Sequence, residues 1–518
     1  MAVKNQSWNR KNIVASSFQK TIKNLFVFSE SFSIFRWRWL ILSIFPLGWL
    51  GALDYFKGAN RLESEFTDLT IISFLASILI LWKLRGRFQL EANFWVIYLL
   101  LSIGHHLQLY GMLYWHSQGS KTINIFPSAL FDWLLNLEHP IELYQISTFS
   151  LVGFACAVVW LTKTRYFREM YYFNIDRQSI EAYQYFEKKW LLIYLLALII
   201  ISGSLIFLQF DLKIGARVDP VSGFGAASLP FKLAGIINIS TKLIVPALFL
   251  NLIFIANYVK NTFCFHLGLM AYIVYCSVFT IITTSRAFIP GAIVLLSIIW
   301  SFSGCLTTGR RNFLIALTPL FPLVFGIATR LRFLREVGQV GQIYLIPEAF
   351  NQVIYNSEVW DSYLYFPLTR INGLTTLFYI QAYQPQFNLG TIYHKLTEFG
   401  FNINLVYKHE ILGITDYGFS ASPGLTGCLY LLSGSVWLVA IGVFLHTIFW
   451  FLLYYQVFKM NLYTKPVALA EILLLSAFFT SSGSYHLIPV CLLGIAVTTL
   501  LGEIFIRFLL NIPILPSR

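Results

Sequence analysis

Long apolar runs separated by short polar breaks dominate the chain, and their lengths predict helices that cross a lipid bilayer. An apolar run of about 17–25 residues covers the hydrocarbon as a helix. Twelve runs are legible, at 38–54, 69–83, 92–111, 143–162, 190–210, 238–257, 263–283, 287–304, 311–328, 424–457, 466–480 and 485–507. The first starts too late for a cleavable signal peptide, lacks a clear small-residue cleavage site, and is followed by eleven more.

Three of the breaks are long enough to carry structure. Residues 163–189, KTRYFREMYYFNIDRQSIEAYQYFEKK, read as an amphipathic helix on the membrane surface with its aromatics in the headgroup layer. Residues 211–237 hold glycine, proline and small residues and read as a loop. The stretch 329–423 is too long for an ordinary connection, and loops of that size are normally functional. Within it, EAFNQVIYNSEVWDSYLYF and TRINGLTTLFYIQAY have helical apolar spacing, so short helices are expected on the membrane surface there. No internal repeat is evident, which weakens the inverted-repeat plan common among transporters.

Composition excludes a soluble particle. Hydrophobic residues make up 57 % of the 518 residues and charged residues 12 %, with a mean hydropathy of +0.67. Globular proteins carry about 25 % charge because a water-facing surface needs polar cover. Disordered and disulfide-scaffold classes fall on the same ground. The six cysteines, at 156, 264, 276, 305, 428 and 491, lie almost all in apolar runs without a CxxC pair and read as small buried hydrophobes.

The net charge of +13 reads as orientation of membrane segments and not as affinity for nucleic acid. With the N-terminus in the cytoplasm, the inner segments hold 23 Lys and Arg and the outer ones 14, or 8 without the long loop. Asp54, Glu63, Glu65, Asp68, Asp132, Glu138 and Glu142 all fall in outer loops. The expected fold is therefore an all-α polytopic membrane protein of about twelve helices with both termini inside. Spans 1–9 form a bundle over 1–328, an extracytoplasmic helical loop covers 329–423, and spans 10–12 complete the bundle over 424–518.

The candidate chemistry lies in outward-facing cations. Arg217 in GARVDP, Arg286 in TTSRAFIPG and Arg370 in PLTRINGL sit in tight, otherwise apolar settings. Arg330, Arg332 and Arg335 follow in RLRFLR, where anchoring at the headgroups is the simpler reading. Arg286 occupies a turn between two spans, where only an anion or water satisfies a guanidinium. Arginine suits a diphosphate because its planar fork gives two parallel hydrogen bonds and keeps its charge. Among titratable groups of the outer loop, His394, His409, Asp361, Asp416 and Glu348 are possible general bases. His105, His106 and His446 lie inside apolar runs and read as interhelical hydrogen-bonding residues. The Asp-x-Asp, GxxxxGK[ST] and HExxH motifs are absent, which withdraws support from nucleotide-sugar metal sites, ATP-driven transport and zinc proteolysis.

Arg217 followed by SLPFKLAGI, the Ser285–Arg286 pair, Arg370 in RINGL and SPGLTGCLYLLSG after the long loop together resemble the Wzy-type O-antigen and oligosaccharide repeat-unit polymerases. The resemblance covers most of the chain as architecture and about 40 residues as motif. Many relatives carry an acidic residue where this chain has Cys428. The resemblance implies a metal-independent, inverting glycosyltransferase of the GT-C type in the cytoplasmic (inner) membrane, without a cofactor. Its substrates would be a polyprenyl-diphosphate-linked glycan donor and acceptor. Membrane lipids, a chain-length regulator and a flippase would be its partners, and nucleic acid would not. Arg217, Arg286, Arg370, Arg332, Arg335 and Lys232 would hold the pyrophosphate, and one of His394, His409, Asp361 and Asp416 would deprotonate the acceptor. The competing readings are an O-antigen ligase and a flippase for lipid-linked oligosaccharide.

The charge bias makes a direct prediction. Cysteines introduced in 339–365 will react with an impermeant thiol reagent added to intact cells, and cysteines in 170–185 will not. Labelling of 170–185 from outside would reverse the orientation.

Overall fold

A computed structural model describes residues 64–84, 88–102, 104–105, 140–172, 188–211, 236–237, 240–283, 288–302, 308–317, 323–324, 326–327, 345–355, 376–377, 380, 389–413, 422–460 and 462–509. Helix is the only regular structure among these residues. The larger elements are α1 (Ser64–Lys83), α2 (Phe88–Ser102), α3 (Pro140–Lys163), α4 (Arg165–Tyr172), α5 (Lys188–Asp211), α6 (Val245–Tyr258), α7 (Thr262–Thr283), α8 (Phe288–Phe302) and α9 (Thr308–Leu317). After these come α10 (Leu345–Tyr355), α11 (Leu389–Glu398), α12 (Ile403–Val406), α13 (Gly424–Ser433), α14 (Val436–Lys459), α15 (Lys465–Ser482) and α16 (Ile488–Leu509). π-helical turns cover Ser240–Ile244 and Tyr407–Ile411. The first of these leads into α6, where Pro246 has no N–H to give the carbonyl of residue 242.

Seven described stretches are long and apolar enough to cross a membrane: Glu142–Lys163, Trp190–Gln209, Ser240–Asn257, Thr262–Ile281, Val436–Lys459, Lys465–Ser482 and Tyr485–Phe508. They coincide with apolar runs of the sequence. The amphipathic stretch after 163 begins as the helix α4, and the segment EAFNQVIY forms most of α10. The run 38–54 and the loop 212–235 lie outside the described residues. One run is corrected: 424–457 is not one span but two helices, α13 and α14, separated by Gly434 and Ser435. Gly434 takes the left-handed conformation at φ 60 that ends a helix, and Ser435 is extended.

α15 is the central helix and packs against α2, α6, α8, α13, α14 and α16. Beside it, α14 and α3 lie against each other along much of their length, with α1 on the far side of α3. Their contact is close because Gly153 has no side chain. A Cβ there would lie 2.2 Å from the Ala440 carbonyl oxygen. Small residues allow such contacts where hydrocarbon supplies no hydrophobic drive between helices. Hydroxyl pairs add to it, with Ser73 Oγ 3.0 Å from Thr148 Oγ1 across α1 and α3. Peripheral α5 and α16 turn apolar residues outward, including Ile200 at 68 % and Phe207 at 67 % exposure. A helix that is apolar all round belongs inside hydrocarbon.

Contacts sort the helix termini into two ends. At one, the Tyr455 hydroxyl donates to Glu169, and Arg165 Nε lies 2.6 Å from the same carboxylate. These two neighbours, the tyrosine first, hold the Glu169 carboxyl below its ordinary range. The Thr464 backbone N–H and hydroxyl both donate to Glu503, at 2.7 and 3.0 Å, and Arg507 lies 3.5 Å from that carboxylate. Lys459 closes α14 here, so this is called the Lys459 end. The opposite end carries Glu142, Ser422, Gly434 and Ser482.

Two glycines predict opposite signs. Gly153→Ala should destabilise by about 1–3 kcal/mol, because backbone and not a flexible side chain blocks the new methyl. Gly203→Ala on α5 meets nothing within 4 Å and should stabilise by about 0.5–1 kcal/mol. Thermal unfolding of the purified protein in detergent measures both.

Candidate functional site

α13 has ten residues, so it is about 15 Å long and spans half of a hydrocarbon layer. Its residues from Gly424 to Cys428 are all buried, as are Tyr430 and Leu431. It sits at the Glu142 end between α14, α15 and the start of α3. Gly424 meets Gly483, whose φ of 62 ends α15, so closely that a Cβ on Gly483 would lie 2.5 Å from the Gly424 carbonyl oxygen.

Two buried histidines link helices of the bundle that surround this short one. His105, on a π-helical turn after α2, lies 3.0 Å from Ser147 Oγ through Nδ1 and 3.2 Å from Thr426 Oγ1 through Nε2. It therefore joins α2, α3 and α13. His446 on α14 lies 3.0 Å from Thr480 Oγ1 and 3.0 Å from the Tyr485 hydroxyl. The Thr480 hydroxyl gives its one proton to the Ser476 carbonyl at 2.7 Å, so it accepts from His446 Nε2–H. Nδ1 is then the acceptor of the Tyr485 proton. Donation runs in one direction, from Tyr485 through His446 and Thr480 to Ser476. Both histidines are thus interhelical hydrogen-bonding residues, as their place in apolar runs predicts.

More polar contacts gather at the same end. The Tyr430 hydroxyl donates to Glu142, and the Ser422 hydroxyl to the Ser482 carbonyl. Asn404 Nδ2 donates to Ser484 Oγ at 2.6 Å. The segment 389–413 lies over α13, and the Tyr393 hydroxyl donates to the Leu432 carbonyl at 2.9 Å. A cavity of about 50 Å³ lies between them, lined by Ile380, Ile392, Ile411, Tyr430 and Gly434. Lys408, on the π-helical turn, is only 5 % exposed. Lys395 lies 3.0 Å from Glu398 and 3.6 Å from Glu410, and these carboxylates, Glu398 first, hold its ammonium above the ordinary value.

Of the sequence candidates, His394 and His409 fall within this segment. His394 is exposed on α11. His409 is half-buried and stacks on Phe399, with centroids 5.3 Å apart. Glu348 lies in the first turn of α10. Asp361, Asp416, Arg217, Arg286, Arg370, Arg332, Arg335 and Lys232 lie outside the described residues, as do Arg330 and His106. Among the described residues no three His, Cys, Asp or Glu side chains stand close enough to share a metal ion.

Sequence reasoning passed over Tyr430 and Lys408, and took Glu142 only as one more acidic loop residue. It also missed Glu471, a carboxyl 2 % exposed in α15, with no hydrogen-bond partner for Oε2 among the described residues. A lone acid in the run 466–480 was the available signal, since ionisable groups in hydrocarbon are rare and functional. Comparison with protein-family models, with curated proteins and with solved structures yields no match for this chain.

The His105 bridge predicts an unequal pair of threonines. Thr426→Val leaves a buried imidazole nitrogen unpaired and should cost about 1–3 kcal/mol of stability. Thr162→Val removes a hydroxyl that bonds only carbonyls of its own helix and should stay within about 0.5 kcal/mol. Equal melting shifts for the two variants would remove the bridge as a stabilising link.

Proposed function

We propose that the protein polymerises lipid-diphosphate-linked oligosaccharide repeat units at the outer face of the cytoplasmic membrane. The observation that carries this reading is the buried half-helix α13 with hydroxyl, imidazole, amide and carboxylate groups gathered around it at one end of the bundle. A membrane protein keeps a half-span and so many polar groups at one end only where they are enclosed or line a water-filled site. α13 also begins in the SPGLTGCLYLLSG stretch on which the likeness to Wzy-type polymerases rests.

In this reading the chain has twelve spans with both termini in the cytoplasm, and the Glu142 end faces outward. The Lys459 end, with Arg165, Lys163, Lys459 and Arg507, faces inward as the charge rule requires. The donor diphosphate binds Arg217, Arg286 and Arg370, with Arg332, Arg335 and Lys232 around them. An acceptor hydroxyl attacks the anomeric carbon of the donor glycan, the carbon–oxygen bond to the diphosphate breaks, and configuration inverts. His394, His409, Asp361 or Asp416 takes the hydroxyl proton, and Glu142, which accepts from the Tyr430 hydroxyl beside α13, is a further candidate in this reading. The arginines stabilise charge gathering on the departing diphosphate, work often given to a metal ion.

In vitro polymerisation with a polyprenyl-diphosphate repeat unit tests this. Arg286→Ala should lose roughly 10- to 150-fold of transfer, from charge-assisted bonds worth about 1.5–3 kcal/mol. Arg286→Lys should recover only part, since the charge stays and the fork goes. Full activity of the alanine variant at matched folded protein would sink the arginine clamp. A strain lacking the protein separates the classes: a single retained repeat unit on the surface marks a polymerase, and loss of all glycan marks a ligase or flippase.

A further inference from the structure

A second cavity, at the Lys459 end, has no part in that reaction. It occupies about 380 Å³ between the α6–α7 turn and α9, and Asn257, Lys260, His266 and Arg310 line it with Phe265 and Trp300. The contact of Gly502 with Thr464 and Asn251 puts the nearby part of α6 level with the start of α15, which fixes the end of the bundle. No acidic residue lines the cavity among the described residues.

The cationic side is built and not incidental. The Arg310 guanidinium lies 4.9 Å from the Phe265 ring centroid and 5.5 Å from that of Trp300, and it donates to Asn257 Oδ1. Two aromatic faces and an amide therefore fix the plane of the fork. Lys260 stands in the turn at φ 55, a conformation that glycine or asparagine adopts at less cost. His266 Nδ1 donates to the Thr262 carbonyl at 2.7 Å, which leaves Nε2 as the other polar atom of the ring. α7 and α9 both begin at this cavity, so the positive ends of their helix dipoles add to the two cations, and Asn261 Oδ1 caps the Cys264 N–H of α7 at 3.1 Å.

We propose that this cavity binds a phosphate group, carried by an anionic phospholipid or present as free phosphate. The fork of Arg310 and the ammonium of Lys260 recognise the anion, and the Phe265–Trp300 wall accepts the apolar part of a lipid. The full-length protein in detergent micelles is tested by native mass spectrometry with phosphatidylglycerol or phosphatidylcholine. Phosphatidylglycerol should be retained at least about tenfold better, and Arg310→Gln and Lys260→Gly should each lose about tenfold of that retention. Lys260→Gly removes the cation while easing the left-handed backbone, so its melting temperature should not fall and misfolding cannot account for its loss of lipid. Excess inorganic phosphate separates the sources. Displacement of the lipid marks phosphate as the whole recognised group, and resistance marks the phospholipid. Equal retention of both lipids, or wild-type retention by both variants, would overturn the proposal.

Discussion

Ten residues of helix cannot reach across a bilayer, and α13 is a helix of that length with seven of its residues buried. Its terminal carbonyls and N–H groups must be answered inside the protein, because hydrocarbon offers them nothing. Much of the surrounding architecture follows from that demand. Gly434 and Gly483 end α13 and α15 in left-handed conformations that side chains avoid. His105 ties α13 to α3, and His446 ties α14 to α15, two of the helices that enclose it. The segment 389–413 lies over it through the Tyr393 contact with Leu432.

The two ends of the bundle differ in how they treat charge. At the Lys459 end, cations meet carboxylates or aromatic faces, as Arg165 meets Glu169 and Arg310 meets Phe265 and Trp300. At the Glu142 end, the described contacts are mostly between hydroxyls, amides, imidazoles and carbonyls. Such groups can be enclosed at modest cost once paired, whereas an ion in the same place needs a partner of opposite charge. Paired neutral groups therefore enclose the half-helix at depth, and ions of that end, Lys395 with Glu398 and Glu410, pair in the segment that lies over it.

The membrane class and most helix positions were legible because apolar length is a coarse quantity that packing does not alter. α3, α5, α7 and α16 lie where long apolar runs stand. The break inside 424–457 was missed although a run of that length exceeds one span, and the SGS at 433–435 is the residue pattern that splits it. The site was legible in a different measure. The sequence shows which residues are chemically able, so His394 and His409 could be named, but not which of them packing buries. Tyr430 and Thr426 are ordinary residues of an apolar stretch until Glu142 and His105 arrive from distant helices. Glu471 was visible as a lone acid, and what singles it out is enclosure, which exists only once α15 is surrounded.

The close approach of α3 to α14 also bears on how far such a chain can drift. On α5, Ile200 and Phe207 face outward, and any residue of similar oiliness serves there, so those positions are nearly interchangeable. Gly153 has no such freedom, since the atom it faces is a backbone oxygen that every residue at 440 would carry. Substituting its neighbour in sequence space gives no route around the clash. A lineage that lost Gly153 would have to move two helices apart, and with them the seam on which α13 rests.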